Sequence, residues 1–188
     1  KIDKLSKQFH LPIQSGSDRV LSSMKRNYTV LEYKSIIRKL KKACPDISIT
    51  SDFIIGFPNE TKDEFEQTKK LMKEINFDYS FSFLYSPRPG TPAAFIKDNI
   101  TQQEKERRLK EFQKINVTQG KTHTLKMIGT TQRILIDQPS KRKEGVYLGK
   151  TDNNRVVEIQ GGPELLNKFV TIKITNITEK NLEGVVLK

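Results

Sequence analysis

Three segments of the sequence combine glycine, proline and small polar residues directly after short apolar runs. They are Gln14-Ser-Gly-Ser17, Ile55-Gly-Phe-Pro-Asn-Glu60 and Tyr85-Ser-Pro-Arg-Pro-Gly90. Hydroxyl, amide and free backbone N–H groups in such segments can hold a small polar or anionic ligand. The same residue types also form ordinary turns, so the residues alone leave a ligand site and simple turn chemistry equally open.

Residues for acid–base or nucleophilic catalysis are scarce. His10 and His123 are the only histidines, and they lie in different predicted elements, where packing or a surface position is expected. Neither a serine nor the single cysteine has a triad partner near it in sequence. Asp52 lies in an apolar run, where a carboxylate must be paired or hydrogen-bonded. It could bind ligand hydroxyls or amines, or hold a neighbouring loop, and we assign no catalytic residue.

The elements that would position these segments alternate between strand and helix in the first part of the chain. Short apolar runs at about 9–14, 47–55 and 79–85 predict three strands, each followed by an amphipathic helix. Asp18 is expected to cap a short helix, and Pro45 to end the second helix. Capping boxes are predicted at Thr29-Val-Leu-Glu32, Thr61-Lys-Asp-Glu64 and Thr101-Gln-Gln-Glu104. Such βα units predict a parallel α/β sheet.

Three βα units do not close a parallel sheet, because each outer strand keeps an unpaired edge. The chain also begins at Lys1 rather than at a methionine. We therefore expect the sequence to be a fragment whose preceding part supplies the missing strands.

From Gly129 the pattern changes to short strands and turns. Five strands are predicted at about 132–137, 146–149, 155–159, 169–174 and 183–187. Turn-rich segments such as Asp152-Asn-Asn154 and Gly161-Gly-Pro163 separate them. Five short strands in about 60 residues predict a small barrel of the OB type. We expect two domains, residues 1–126 and residues 127–188.

Composition excludes several classes of protein. No apolar run approaches the roughly 20 residues of a membrane-spanning helix, so we expect no membrane insertion. Cys44 is the only cysteine, which excludes an internal disulfide, a cysteine zinc site and a self-contained iron–sulfur cluster. A reducing, cytoplasmic compartment is expected.

Charge indicates the class of partner. Lysine and arginine total 34 against 22 acidic residues, which gives a net charge of +12. The excess favours a polyanion, above all nucleic acid, although a lysine-rich composition can also serve solubility alone. The first 125 residues carry +8 and the remainder +4, so neither part is a polybasic tail.

Three long motifs, in order, give the chain a family resemblance. They are His10-Leu-Pro-Ile-Gln-Ser-Gly-Ser-Asp-Arg19, Asp52-Phe-Ile-Ile-Gly-Phe-Pro-Asn-Glu-Thr61 and Tyr85-Ser-Pro-Arg-Pro-Gly-Thr-Pro-Ala-Ala94. They resemble motifs of the radical S-adenosylmethionine methylthiotransferases, with Asn59 in place of the usual glycine. Residues 129–188 are similar to the TRAM domain that ends these enzymes. The resemblance implies an α/β fold, the C-terminal half of an incomplete (βα)6 radical SAM barrel, followed by a small all-β TRAM barrel.

The tRNA branch of this family is the most similar, through His10-Leu-Pro-Ile-Gln-Ser-Gly-Ser17, Asp78-Tyr-Ser-Phe-Ser-Phe83 and Arg88-Pro-Gly-Thr-Pro92. The resemblance implies a monomeric enzyme that adds a methylthio group to C2 of an N6-modified adenosine beside the anticodon of tRNA. Isopentenyladenosine is the expected substrate. A threonylcarbamoyladenosine substrate and a non-catalytic RNA-binding module remain alternatives.

The resemblance also implies S-adenosylmethionine and two 4Fe-4S clusters as cofactors of the full-length enzyme. The cysteines of both clusters would precede Lys1, and Cys44 alone does not suffice for a cluster. The chain by itself is therefore expected to hold no cluster and to be inactive.

By the same resemblance, six residues at three strand ends bind S-adenosylmethionine: Gln14, Ser15, Ile54, Gly56, Tyr85 and Ser86. Gly56 would let the flat adenine approach the backbone, provided that its φ angle is ordinary. Ile54 could instead be a simple core residue. Arg88 would face the substrate, where its donors suit a phosphate or a modified base.

Basic and amide residues on turns of the predicted barrel are expected to hold the tRNA backbone. They are Lys141, Arg142, Lys143, Lys150, Asn153, Asn154 and Arg155. A merely solvated loop is the alternative. Tyr147 and Phe169 are the only aromatic residues of that barrel, so stacking of single-stranded bases is the weaker interpretation.

Overall fold

The computed structural model describes residues 5–178 and 181–187. The described residues form two compact units, one of residues 9–120 and one of the residues from Lys121 onward together with the segment ending at Gln8. This division falls before the boundary expected at residue 127, which stays a prediction. Among the described residues, no helix has the length and apolar character needed to cross a bilayer.

Strands and helices alternate along the first unit, as the sequence predicts. In chain order they are β1 (Gln8–His10), α1 (Asp18–Ser23), α2 (Val30–Ala43), β2 (Ser48–Ile55), α3 (Lys62–Ile75), β3 (Tyr79–Leu84), a 3-10 turn (Pro92–Phe95) and α4 (Gln102–Leu125). The sheet order is β1-β2-β3. β2 and β3 are parallel, from the pair Thr50 and Tyr79 to the pair Ile55 and Leu84.

The first strand is shorter than predicted. Regular pairing ends at His10, and the expected continuation to Gln14 is a single parallel bridge between Gln14 and Phe53. Pro12 lies between these two points and has no N–H to donate to a ladder, which explains the interruption.

The start of α1 corrects one prediction. Ser17, not Asp18, is the N-cap, since the Ser17 hydroxyl accepts a hydrogen bond from the backbone N–H of Val20. The Asp18 carboxylate instead accepts one from the N–H of Val30 at 2.7 Å, at the start of α2. Asp18 therefore joins two helices rather than capping its own.

Two of the three predicted capping boxes are complete, Thr29 with Glu32 and Thr61 with Glu64. At the third, the Thr101 hydroxyl accepts from the N–H of Glu104, as predicted. The Glu104 carboxylate does not complete the box, because it accepts hydrogen bonds from Arg107 and Arg108. Arg107 and Arg108 on the same helix therefore bind the carboxylate that would otherwise complete the capping box.

The core of the first unit lies between the sheet and helices α2, α3 and α4. Phe53 on β2 is fully buried, with its ring centroid 5.6 Å from that of Phe77 and 4.8 Å from that of Phe112. Ile55 is also fully buried, and β2 is largely buried along its length, as expected for the central strand of a parallel sheet.

The second unit is a closed five-stranded barrel. Its strands are β4 (Thr131–Pro139), β5 (Val146–Thr151), β6 (Val156–Gln160), β7 (Phe169–Ile177) and β8 (Leu182–Val186), in the order β4-β5-β6-β8-β7. β4 pairs with β7, which closes the barrel. Fully buried aliphatic side chains such as Ile134, Ile136 and Ile172 fill it. All five predicted strands and the predicted barrel are confirmed.

Candidate functional site

A cleft of about 650 Å³ lies at the carboxyl ends of the parallel strands. Of the six residues predicted to bind the cofactor, four line this cleft: Gln14, Ile54, Tyr85 and Ser86. Arg88 and Asp52 line it too. The volume is within the range of small-molecule sites, and strand ends of α/β sheets are where such sites occur. The convergence of the four predicted residues on one cleft is observed, whereas their role in cofactor binding stays a prediction.

Gln14 lies in the cleft wall with an uncommon backbone conformation. Its φ angle is +77°, in the left-handed region that non-glycine residues rarely adopt. Two backbone hydrogen bonds hold it there, from its N–H to the carbonyl of Asp52 and from the N–H of Ile54 to its own carbonyl, both 2.9 Å. Such strain is retained where surrounding structure fixes the backbone, often beside ligand sites.

Ser15 does not line the cleft. It is fully buried, and its hydroxyl lies 3.3 Å from that of Thr68 on α3 and accepts a bond from the N–H of Ser17. The neighbouring N–H of Gly16 also donates to the Thr68 hydroxyl. These bonds attach the loop to α3, so the structure supplies a positioning role for Ser15, and the predicted cofactor contact stays a prediction.

Gly56 is also absent from the cleft lining. Its backbone conformation differs from the one on which its predicted role beside the adenine depended. Its φ is +72°, so the condition of an ordinary φ is not met. A Cβ atom at this position would lie 2.6 Å from Cγ of Lys105. Glycine is therefore required here by backbone conformation and by the packing of Lys105, whether or not a ligand approaches.

A buried ion pair that sequence reasoning missed supports the Gly56 turn. Glu60 is 2% exposed and accepts hydrogen bonds from the N–H of Gly56 at 3.1 Å and from Arg108 at 3.2 Å. Arg108 also donates to the backbone carbonyl of Glu60 at 2.8 Å. Burial raises the pKa of Glu60, while these two donors oppose the rise. A basic residue on the inner face of α4 is the signal that could have indicated the pair.

A second charged cluster connects the loops that follow β1 and β2. Glu64 accepts hydrogen bonds from Arg19 at 2.6 Å and from the Ser17 hydroxyl at 3.1 Å. Arg19 and its other donors lower the pKa of Glu64 to about 2. Arg19 also donates to the carbonyl of Asn59 at 2.8 Å. The two loops are therefore held together through one carboxylate.

Asn59, which departs from the family's usual glycine, has a φ of +60°. Asparagine adopts this left-handed conformation more readily than other residues with a side chain. The departure therefore preserves the backbone turn that the glycine would provide.

Asp52 contacts His10 while it lines the cleft. One Asp52 carboxylate oxygen lies 3.3 Å from Nε2 of His10, and Nδ1 of His10 lies 2.9 Å from the Thr50 hydroxyl. The Asp52 side chain stays 28% exposed. Asp52 therefore contacts a strand rather than the neighbouring loop that the sequence suggested, and its binding of a ligand stays a prediction.

Tyr85 is positioned by contacts on several sides. Its N–H donates to the carbonyl of Ile55 at 2.9 Å, and its ring meets that of Phe57 edge-on at 5.1 Å. The ammonium group of buried Lys105 lies 5.8 Å from the Tyr85 ring centroid and pairs with Asp98. Lys105 therefore supports both Gly56 and Tyr85, and it is a second residue that sequence reasoning missed.

Two of the predicted RNA-binding residues on the barrel are exposed on the turn between β4 and β5, Lys141 and Arg142. Lys143 on the same turn donates to Glu158 at 2.6 Å, and the ammonium group of Lys150 lies 3.6 Å from Asp137. The four cations are therefore not equivalent, since two of them are partly neutralised.

The remaining three predicted RNA-binding residues build the turn after β5. The side-chain amide oxygen of Asn153 accepts from the Thr151 hydroxyl, and Asn154 has a φ of +62°. Arg155 donates from Nε to the Thr124 hydroxyl at 3.2 Å. These contacts show a structural role for each residue, and their contact with RNA stays a prediction.

Comparison with known families assigns both parts of the chain. Residues 1–72 match the radical SAM superfamily, and residues 125–187 match the TRAM domain. The chain therefore carries part of a radical SAM domain followed by a TRAM domain, which confirms the family resemblance of its motifs. Within its described residues, no group of three or more histidine, cysteine, aspartate or glutamate side chains is arranged to hold a metal ion.

Individual relatives narrow the similarity further. The chain is 53% identical over 98% of its length to the tRNA-2-methylthio-N(6)-dimethylallyladenosine synthase of Methylobacillus flagellatus. It is 51% identical over 95% of its length to the protein of the same name from Yersinia pestis. The chain spans 42% and 38% of the lengths of these two relatives.

Proposed function

We propose that this chain is the part of a tRNA methylthiotransferase that binds S-adenosylmethionine and tRNA. The full-length enzyme would add a methylthio group to C2 of N6-isopentenyladenosine beside the anticodon. The observation that carries the proposal is that Gln14, Ile54, Tyr85 and Ser86 converge on one cleft. The cleft belongs to a chain that is 53% identical to a relative named tRNA-2-methylthio-N(6)-dimethylallyladenosine synthase.

The cleft residues fit the adenosine part of S-adenosylmethionine. Ile54 offers an apolar surface for a flat base, while the Gln14 amide and the Ser86 hydroxyl offer polar groups for a ribose. Arg88 offers fixed positive charge at the rim of the cleft for a phosphate of the RNA. When bound beside an iron–sulfur cluster, the cofactor supplies the radical for the reaction.

Iron–sulfur clusters do not fit this chain. Cys44 is its single cysteine, and it is the C-cap residue of α2. We therefore propose that both 4Fe-4S clusters are held by other parts of the full-length protein, and we assign no step of the reaction to them here.

The barrel, in this proposal, holds the tRNA backbone, with Lys141 and Arg142 as exposed cations on the turn between β4 and β5. The full-length enzyme would act as a monomer in the cytoplasm. A threonylcarbamoyladenosine substrate remains the second candidate within the same chemistry. The names of the relatives favour the isopentenyl substrate.

Replacement of Ile54 by alanine in the full-length enzyme tests the assignment of the cleft. Loss of the apolar wall should weaken S-adenosylmethionine binding roughly tenfold to a hundredfold, since burial of such a side chain is worth about 1.5–3 kcal/mol. Ile36→Ala, on the exposed side of α2, is the matched control and should leave binding unchanged. Equilibrium dialysis gives the dissociation constants, and unaltered affinity in a folded Ile54→Ala variant would refute the assignment.

A further inference from the structure

The outer surface of the barrel carries a row of exposed side chains across β5, β4 and β7. Lys150 pairs in register with Leu135, and Leu135 pairs with Phe169. Side chains alternate between the two faces of a strand, and Ile134 and Ile172 are fully buried inside. Leu135 and Phe169 must therefore point outward, where they are 37% and 58% exposed.

Phe169 is paired with an arginine on the neighbouring strand. The guanidinium carbon of Arg133 lies 4.1 Å from the Phe169 ring centroid, a close cation–π contact. Arg133 pairs in register with Thr171, two residues after Phe169, so the contact runs diagonally across the strands. A ring that is 58% exposed despite this contact still has surface free for another flat group.

Further positive charge lies on the same outer face of the barrel as this ring. Arg133 and Lys173 both lie on the outward side, and within the described part of the chain neither is paired with a carboxylate. Lys150, one strand further, is partly balanced by Asp137 at 3.6 Å. An exposed aromatic ring among unpaired cations matches the chemistry of a nucleobase flanked by phosphates.

We propose that this surface stacks an unpaired base of RNA on Phe169. We call it the stacking face, defined by Arg133, Leu135, Phe169, Thr171 and Lys173. The base packs on the ring beside Arg133, and Lys173 contacts the adjoining phosphate. The inference rests on the proposed function, in which the barrel meets tRNA, and adds that the contact includes a base in a single-stranded region.

The pairing across strands explains why the sequence favoured the opposite interpretation. Two aromatic residues in the barrel are few by count, and Tyr147 is half-buried beside the core. Arg133 and Phe169 are far apart in sequence, and only the β4–β7 register brings them together. The stacking face therefore depends on the register of β4 and β7 rather than on the number of aromatic residues in the barrel.

Substitutions of Phe169 in the 188-residue chain distinguish base stacking from non-specific electrostatic binding of RNA. Phe169→Leu keeps an apolar side chain but removes the aromatic ring, and Phe169→Trp keeps an aromatic ring. The probes are a fluorescent RNA hairpin with an unpaired loop and a blunt RNA duplex of equal length. Phe169→Leu should lower affinity for the hairpin roughly tenfold, Phe169→Trp should retain it, and affinity for the duplex should not change.

The outcomes distinguish the inference from the proposed function. Equal hairpin affinity for wild type and Phe169→Leu, or equal loss on both RNAs, overturns the stacking face while RNA binding stands. Failure of the wild type to bind either RNA overturns the proposed function itself. A wild-type dimer that Phe169→Leu dissociates in sedimentation would assign this surface to protein contact and also overturn the inference. Leu31→Ala, an exposed apolar position on α2, is the control.

Discussion

Glu64 illustrates how one side chain can serve a local motif and a tertiary contact. Its capping box with Thr61 follows from four residues of sequence, and the structure contains it. Its bonds to Arg19 and Ser17 span 45 and 47 positions and depend on how the loop before α1 approaches α3. Local spacing predicts the first role, whereas the second requires the fold.

Replacement of Glu64 by glutamine should reduce stability at neutral pH. The folded-state pKa of about 2 lies below the ordinary value of 4.5, so the ionised carboxylate stabilises the fold above about pH 4.5. That contribution is lost as the pH falls from 4.5 toward 2. Because Arg19 is half-exposed, we expect about 1 kcal/mol at pH 7, after allowance for solvent screening.

Urea unfolding of wild type and Glu64→Gln across pH 2 to about 7 measures this difference. The gap between them should close near pH 2. Glu66→Gln on the same helix is the control, because Glu66 is 52% exposed and its ion pair with Lys69 lies within α3. A gap that stays constant over the whole range would show that the Glu64 charge contributes nothing.

Asn59 gives a prediction about backbone conformation alone. Asn59→Ala should destabilise the protein by about 1 kcal/mol, because alanine tolerates a φ of +60° poorly. Asn59→Gly should be nearly neutral, because glycine adopts a positive φ without strain. Both variants keep the backbone carbonyl of residue 59 that accepts a hydrogen bond from Arg19, so they differ only in backbone preference. Thermal unfolding measures both variants, and equal Tm values for them would contradict the account of this turn.

At the scale of elements, the close approach of the loop after β1 to α3 depends on Gly16. A Cβ atom there would lie 2.6 Å from Cα of Thr68 and 2.7 Å from the carbonyl oxygen of Gln67. These are backbone atoms that cannot rotate away, so Gly16→Ala should cost about 2–3 kcal/mol. Displacement of this loop would also move Gln14 in the cleft wall.

Gly120→Ala is the matched control on α4. A Cβ atom there would have only the carbonyl oxygen of Asp78 nearby, at 3.6 Å, so alanine should stabilise the helix by about 0.5–1 kcal/mol. Chemical denaturation gives both free energies of unfolding. Similar small effects for the two variants would show that the loop is not packed against α3 as described.

The elements were largely predictable because their signals are local. Periodicity indicated all five barrel strands, and cap residues indicated where α2 and α3 begin. Gly56 shows the limit of such reasoning, since its glycine is required by a positive φ and by Lys105 on α4, about fifty positions away. The cleft itself was predictable in four of its lining residues, because strand ends of parallel sheets meet.

The turn between β4 and β5 gives a prediction about RNA binding. Lys141→Ala combined with Arg142→Ala should weaken binding of several unrelated tRNAs similarly and reduce the slope of log affinity against log salt by roughly one to two. Lys143→Ala should do less, because Glu158 already pairs with Lys143. Arg38→Ala with Lys39→Ala, exposed on α2, is the charge-matched control.

Fluorescence anisotropy across a salt series gives these slopes. An unchanged slope in the double variant, or a loss confined to one tRNA, would show that this turn is not a general backbone contact.

At the scale of the whole molecule, two folds with different chemistry share one chain. The α/β unit presents a cleft suited to a small cofactor, and the barrel presents cations and an exposed aromatic ring suited to RNA. An enzyme that modifies one base of a large RNA needs both capabilities. Cys44 is the single cysteine of the chain, and in our proposal the redox chemistry belongs to other parts of the full-length protein.

The most direct test of this account is the modified nucleoside content of tRNA. The full-length protein would be expressed in a bacterial strain that lacks its own tRNA methylthiotransferases, and digested tRNA analysed by mass spectrometry. We predict conversion of N6-isopentenyladenosine into its 2-methylthio derivative, with Ile54→Ala giving less product than Ile36→Ala. Unmodified isopentenyladenosine, or a methylthio group found only on threonylcarbamoyladenosine, would contradict the proposed function.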